Sequence, residues 1–286
     1  MRTYNKNLYP FESKWITIDG NQIHYIDEGK GDIILFSHPP LASSFMYRNF
    51  VIFLKNQYRC IAIDYPGFGL STTSKDYKLS IATQSKILGK FITKLNLKDI
   101  YVLGHDTGGP SAFNVAINHP NLFKGLILTD TIIYPVSEYK KLVKMLGIVG
   151  GKFFTWFNAK TNFLISATIK YGIRTRTLTK MENQEYKKMF DTPEKRRKTT
   201  KLLPNLKESE SFMKRIKQGF ETTINTKPTL LIYGEKDPVK ELGIVDRIHQ
   251  LIPNSKLYLI DNEGHFPHEG QSKQMSQIIH NWIIKN

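Results

Sequence analysis

Tyr101-Val-Leu-Gly104-His105-Asp106-Thr107-Gly108-Gly109 reads as an apolar strand running straight into a turn of small residues, which Pro110-Ser-Ala-Phe-Asn-Val-Ala-Ile-Asn118 continues as a helix. Pro at the helix start and Gly in the bend suit a sharp strand-to-helix turn. The same rhythm recurs along the chain. Ile33 to Phe36, Cys60 to Ile63, Leu126 to Leu128, Leu230 to Tyr233 and Leu257 to Ile260 are short apolar runs, each closed by turn residues and followed by a helical pattern. Apolar runs without alternation belong to strands buried on both faces, and strands alternating with helices imply a mostly parallel sheet, so the class is α/β. Upstream, Lys14 to Ile18 and Asn21 to Asp27 do alternate and meet at Asp19-Gly20, the signature of an antiparallel hairpin. Downstream, Met275, Ile278, Ile279, Trp282 and Ile283 make one apolar helical stripe that should lie on the sheet.

The rhythm stops between about Thr131 and Thr226, where helical patterns carry many aromatics and no run reads as a strand. This is read as a helical insertion after the sixth strand, covering the carboxyl ends of the strands, where open α/β sheets bind ligands. The expected organisation is a core in two parts, 1–130 and 227–286, with a helical cap over 131–226.

Composition excludes several classes. With 40% hydrophobic and 23% charged residues the chain is neither disordered nor fibrous. The first residues lack the apolar core of a secretion signal and no stretch is apolar enough to span a bilayer. Cys60 is the single cysteine, so neither a disulfide nor a cysteine-rich metal site can form within the chain. The expectation is a cytoplasmic protein with a small-molecule substrate and no membrane partner. Lys and Arg number 41 against 25 Asp and Glu, a net charge of +16. The excess is mostly Lys scattered along the chain, and the densest cluster, Lys195, Arg196, Arg197, Lys198 and Lys201, reads as a solvated helix face. No nucleic-acid partner is expected from it.

Asp106 sits where a nucleophile elbow places its reactive residue, although Asp before Gly-Gly-Pro also suits a helix N-cap. A carboxylate is ionised at neutral pH and needs no base to attack. Its natural target is an sp3 carbon bearing a leaving group, giving an alkyl ester that an activated water then hydrolyses. His265, in the loop after the last strand run, is the favoured base, with His268 its local rival. A buried carboxylate should orient the imidazole. Asp237 follows the strand run Leu230 to Tyr233 and gives the chain order nucleophile, acid, histidine; Asp130, ending the preceding strand, is the alternative acid. Gly67-Phe-Gly69-Leu-Ser71 reads as a tight post-strand turn, since it lacks the third glycine of a dinucleotide fingerprint. No His or Cys grouping has metal spacing, and nothing calls for a cofactor.

These features resemble the α/β-hydrolase superfamily, specifically its haloalkane dehalogenase and epoxide hydrolase branch. The likeness covers most of the chain: Tyr9-Pro-Phe-Glu-Ser-Lys-Trp15, His24-Tyr-Ile-Asp-Glu-Gly29, Phe45-Met-Tyr-Arg-Asn49, Asp64-Tyr-Pro-Gly-Phe-Gly-Leu-Ser71, the Asp106 elbow, Phe190-Asp-Thr-Pro-Glu-Lys-Arg-Arg197 and Gly264-His-Phe266 are similar to dehalogenase motifs in order and spacing. The resemblance implies Asp106 as nucleophile, His265 as base and Asp237 as acid. It also exposes two departures. The family's elbow carries Trp after the nucleophile as a halide donor, and here Thr107 stands there. The loop after the third strand normally reads His-Gly-Asn-Pro, whose Asn supplies a second halide donor and an oxyanion-hole N–H. Here it is His38-Pro39-Pro40-Leu41, and Pro40 has no N–H. The expected reaction is therefore hydrolysis through an aspartyl ester, dehalogenase-like, with epoxide opening as the alternative and a non-hydrolytic ligand-binding protein as the reading from another class. In an epoxide hydrolase, cap tyrosines activate the ring oxygen, so Tyr139, Tyr171 and Tyr186 are candidates, and Trp156 could replace the lost halide donor.

Overall fold

The computed structural model describes residues 3–202 and 209–286. Eight strands form one sheet: β1 (Lys14–Ile18), β2 (Asn21–Glu28), β3 (Ile33–Ser37), β4 (Arg59–Ile63), β5 (Ile100–His105), β6 (Phe123–Thr129), β7 (Thr229–Gly234) and β8 (Lys256–Ile260). Their spatial order is β1-β2-β4-β3-β5-β6-β7-β8. The hairpin β1/β2 and the β2/β4 pair are antiparallel, and every later pair is parallel. Asp19 and Gly20 turn the hairpin with φ of 48° and 73°, the positive angles that such a two-residue turn requires.

Two apolar layers sandwich the sheet, and strand alternation divides residues between them. Ile33 and Leu35 of β3 face one layer with Leu88, Phe91 and Phe113; Ile34 and Phe36 face the other with Phe50, Met275 and Ile279. The last helix, Ser272–Ile283, lays its stripe on that second layer, where Trp282 meets Tyr101 edge to face at 5.7 Å. The strand β8 departs from expectation. It is the last strand of the sheet, with no further strand paired to it among the described residues, and Tyr258 and Leu259 are 43% and 42% exposed.

Between β6 and β7 the chain forms helices at Lys140–Gly150, Lys152–Thr161, Phe163–Gly172, Lys180–Lys188, Pro193–Leu202 and Glu210–Thr222, with no strand among the described residues. The last of these packs on helix Gly108–Asn118, where Phe220 meets Phe113 at 5.4 Å. In helix Pro193–Leu202, Lys195 and Lys198 pair with Asp191 and Glu194 one turn earlier, as a solvated face should; the side chain of Lys201 lies outside the described residues. A buried ion network ties the insertion to the core. Arg48, at the start of helix Arg48–Leu54, reaches Glu269 and Glu182, Arg176 bridges the same two carboxylates, and the Tyr186 hydroxyl donates to Glu269 at 2.6 Å.

Candidate active site

Asp106 lies just past the end of β5 with φ of 47°, in the left-handed region. That bend turns the chain sharply from strand to helix Gly108–Asn118. Helix and strand can close on each other only because glycines meet there: a Cβ on Gly104 would lie 2.4 Å from the Gly109 Cα, and one on Gly108 would lie 2.3 Å from the Ser37 carbonyl oxygen. The helix N-cap is Thr107, and no side chain caps it, so Asp106 is not spent as a cap. Its main-chain carbonyl instead accepts the Gly109 N–H at 3.0 Å and the Thr131 hydroxyl at 2.6 Å.

The side chain of Asp106 points to His265. Its Oδ2 is 3.4 Å from the imidazole Nε2, while the Nδ1 is 3.1 Å from Asp237 Oδ2. Asp237 is wholly buried at the start of a short helix, and its Oδ1 accepts the Val239 N–H at 2.9 Å. Asp106 keeps 34% of its side chain exposed. The three groups thus form a line from an accessible carboxylate through an imidazole to a buried one. Burial alone would depress the His265 pKa, but the carboxylates of Asp237 and Asp106 outweigh it and hold the imidazole well above its ordinary value. Burial would likewise raise Asp237, and the facing imidazole holds it below the ordinary range.

Asp130 ends beside Asp237 without touching the imidazole. Its Oδ1 accepts the Gly234 N–H at 2.8 Å, and its Oδ2 has no N–H or O–H donor among the described residues. Burial and the neighbouring charge of Asp237 hold its pKa well above the ordinary carboxylate value. His268 is also buried, and burial pushes it down to about 3, leaving it neutral among Tyr47, Phe50 and Phe266. Asp130, Asp237 and His265 are the one set of potential metal ligands among the described residues, with atoms within 4.8 Å of one another. Both Asp237 oxygens and the imidazole Nδ1 are already hydrogen-bonded, so an ion could enter only by breaking that contact.

A family model for the alpha/beta hydrolase fold matches residues 32–271. The chain belongs to the α/β-hydrolase family. Within it, the chain is 28% identical over 278 residues to haloalkane dehalogenase 2 of Mycobacterium tuberculosis, covering 97% of this chain and 96% of the relative. It is 26% identical to the cis-3-alkyl-4-alkyloxetan-2-one decarboxylase of Shewanella oneidensis, covering 97% and 90%. In fold it matches the haloalkane dehalogenase DatA of Agrobacterium tumefaciens with a TM-score of 0.84 at 19% identity, over 96% of each chain. For the haloalkane dehalogenase DbeA of Bradyrhizobium elkani the TM-score is 0.81 at 20% identity, over 96% and 98%.

Against this α/β-hydrolase frame the departures become concrete. Thr107 is buried, and its hydroxyl has no hydrogen-bond partner among the described residues. The His38 Nε2 accepts the Tyr65 N–H at 2.9 Å and its Nδ1 donates to the Pro39 carbonyl at 2.8 Å, so this ring braces the loop. Pro40 can donate nothing, whereas the backbone N–H groups of Leu41 and Thr107 donate to no other group among the described residues. The aromatic candidates of the insertion lie elsewhere. Tyr186 is committed to Glu269, the Tyr139 hydroxyl accepts from Arg247 at 2.5 Å, and Tyr171 and Trp156 are 66% and 55% exposed. No hydrogen bond or ring contact joins any of the four to Asp106 or His265, because packing and surface exposure have claimed them.

Two site residues were missed by sequence reasoning. Thr131 holds the elbow carbonyl, and His105 packs beside His265 with ring centroids 4.9 Å apart and planes tilted by 47°, its pKa pushed well below the ordinary imidazole value by burial. The only available signal was position: both flank strand ends that pair in register, His105 with Thr129.

Proposed function

We propose that this protein hydrolyses small, largely apolar substrates through an ester on Asp106, in the manner of a haloalkane dehalogenase. The observation that carries this reading is the alignment of Asp106 Oδ2, the two nitrogens of His265 and Asp237 Oδ2 at 3.4 and 3.1 Å. Asp106 attacks an sp3 carbon, the bond to the leaving group breaks with its electron pair, and an alkyl ester forms. Esterification removes the charge of Asp106 from beside His265, so the imidazole pKa falls, its proton passes to solvent, and the neutral ring becomes available as a base. It then takes a proton from water while the oxygen attacks the ester carbonyl carbon. Collapse of that intermediate releases an alcohol and restores the Asp106 carboxylate. Asp237 keeps the imidazole oriented and stabilises its charged form. The backbone N–H groups of Thr107 and Leu41 are the donors assigned to the oxyanion, replacing the donor that Pro40 lacks. The insertion over 131–226 acts as the cap that bounds the substrate site.

A second reading, epoxide opening, is favoured by one observation: Thr107 offers a hydroxyl with no other partner where the dehalogenase pattern has an indole. That group suits an oxygen leaving group, and the product would be a diol. The test traps the ester. His265→Gln protein incubated with a haloalkane panel and with an epoxide panel is expected to gain the mass of an alkyl or hydroxyalkyl group, absent in His265→Gln/Asp106→Asn. An adduct from one panel names the leaving group. Folded protein that gains no mass from either overturns the ester mechanism and leaves a ligand-binding role.

A further inference from the structure

From Tyr139 to Met181 the chain carries nine Lys and Arg and no Asp or Glu. The structure sorts these charges. In helix Lys140–Gly150 the exposed residues Lys141, Lys144, Met145 and Ile148 fall at i, i+3, i+4 and i+7, one face of the helix. In helix Lys152–Thr161 the exposed residues Lys152, Phe153, Trp156 and Lys160 fall at i, i+1, i+4 and i+8, again one face of the helix. A surface helix normally turns its apolar stripe inward. Here the outward faces carry large apolar side chains as well, among their lysines: Phe153 is 78% exposed, Ile148 60%, Trp156 55% and Met145 48%. The rings of Phe153 and Trp156 are 6.1 Å apart, so they form one patch rather than two isolated residues. None of Lys141, Lys144, Lys152 and Lys160 pairs with an acidic group among the described residues. The lysine-rich cluster of helix Pro193–Leu202, by contrast, meets its own Asp191 and Glu194.

We propose that these two helices dock the protein reversibly on an anionic lipid surface. The chemistry is that of an interfacial helix: aromatic and aliphatic side chains enter the headgroup boundary while lysines flank them and reach the lipid phosphates. Charge chooses the partner, since a stripe of unpaired lysines around a hydrophobic centre repels a second copy of itself. Met145 and Ile148 choose lipid over nucleic acid, because neither stacks on a base. No helix among the described residues is long and apolar enough to cross a bilayer, so the contact is peripheral. Part of the +16 charge then has a location and a use, which its scatter along the sequence concealed. The proposal stands whether or not Asp106 forms an ester.

Sedimentation with vesicles tests it. At low salt the protein should bind phosphatidylcholine/phosphatidylglycerol vesicles at least roughly tenfold more tightly than pure phosphatidylcholine vesicles. Ile148→Ser/Phe153→Ser, both on the surface, should keep the circular dichroism spectrum and lose about tenfold in that binding. Lys141→Gln/Lys144→Gln should abolish the preference for anionic lipid. Tryptophan emission should shift to the blue on vesicles and fail to do so in Trp156→Phe. Absence of vesicle binding, or binding unchanged in Ile148→Ser/Phe153→Ser, overturns the proposal. So does a dimer in solution that this variant dissolves, or tighter binding to a single-stranded oligonucleotide than to the anionic vesicles.

Discussion

Asp130 and Asp237 stand side by side at the carboxyl ends of β6 and β7, both fully buried, and only Asp237 is hydrogen-bonded to the His265 imidazole, at 3.1 Å. Two ionised carboxylates could not share so dry a site, and the structure divides the labour. The imidazole holds Asp237 below the ordinary carboxylate value against the effect of burial, while burial and the charge of Asp237 push Asp130 well above it.

Asp237→Asn should therefore slow ester hydrolysis by about 10⁴-fold, the cost measured when a triad carboxylate becomes an amide. Asp130→Asn should change it by less than about threefold, because an amide keeps the contact to the Gly234 N–H and can still donate toward Asp237. The folded pKa of Asp130 lies above its unfolded value, so its contribution to stability falls as pH rises from about 4 toward that folded value. Asp130→Asn should flatten this part of the stability profile. Single-turnover kinetics and denaturant titrations at several pH values check both statements; the reverse ranking of the two variants would transfer the acid role to Asp130.

The ambiguity between these two acids shows what sequence could carry. Strand runs, the hairpin and the elbow were legible because backbone demands are local: Asp19-Gly20, Gly104 and Gly108-Gly109 each answer a steric requirement within a few residues. Three site residues from separate loops could be nominated because all follow strand ends. Which acid faces the imidazole depends on loop paths after β6 and β7, set by contacts across the sheet rather than by neighbours in sequence. The aromatics of the insertion failed as site candidates for a related reason. Helical spacing says which residues share a face, but not which face the core covers, and in helices Lys140–Gly150 and Lys152–Thr161 the exposed face also carries large apolar side chains.

The Asp106 carboxylate is one of the groups that raise the His265 pKa, through charge and through a hydrogen bond. Asp106→Asn removes the charge and leaves the imidazole bound to Asp237. Nitrogen-detected NMR titration should find the His265 pKa lower in Asp106→Asn than in the unaltered protein. The sign for stability follows. A folded histidine pKa above its unfolded value of about 6.5 stabilises fully below that pH, and the gain is lost as pH rises through the folded value. In Asp106→Asn this loss should be smaller and complete at lower pH. Equal imidazole titrations in the two proteins would remove the charge-coupled release of the base.

Arg48, 2% exposed, faces Glu182 and Glu269, and Glu182 is held down to about 2 although burial opposes it. Removing one member of a buried ionic group strands the others, at a cost of about 3 to 5 kcal/mol. Arg48→Met should lose about that much stability by denaturant unfolding, and limited proteolysis should cut first in the insertion, which this network fastens to the core. Glu269→Gln should lose less, since the amide still accepts hydrogen bonds. Wild-type-like stability in Arg48→Met would mean that the insertion is held by its apolar contacts alone.

The bend after β5 stores backbone strain at Asp106, the residue proposed to carry the ester. At φ of 47° a side chain with a Cβ costs about 1 to 2 kcal/mol relative to glycine, and an aspartate lightens this by local hydrogen bonding. Asp106→Gly and Asp106→Ala both delete the carboxylate and its contact with His265, so the comparison between them cancels everything except the backbone. Asp106→Gly should therefore be more stable than Asp106→Ala by about 1 kcal/mol in denaturant titrations, and neither should form an ester. Were the two equally stable, residue 106 would not be held in the left-handed region in solution. The bend that keeps its carboxylate clear of its own helix and aimed at the imidazole would then need another origin.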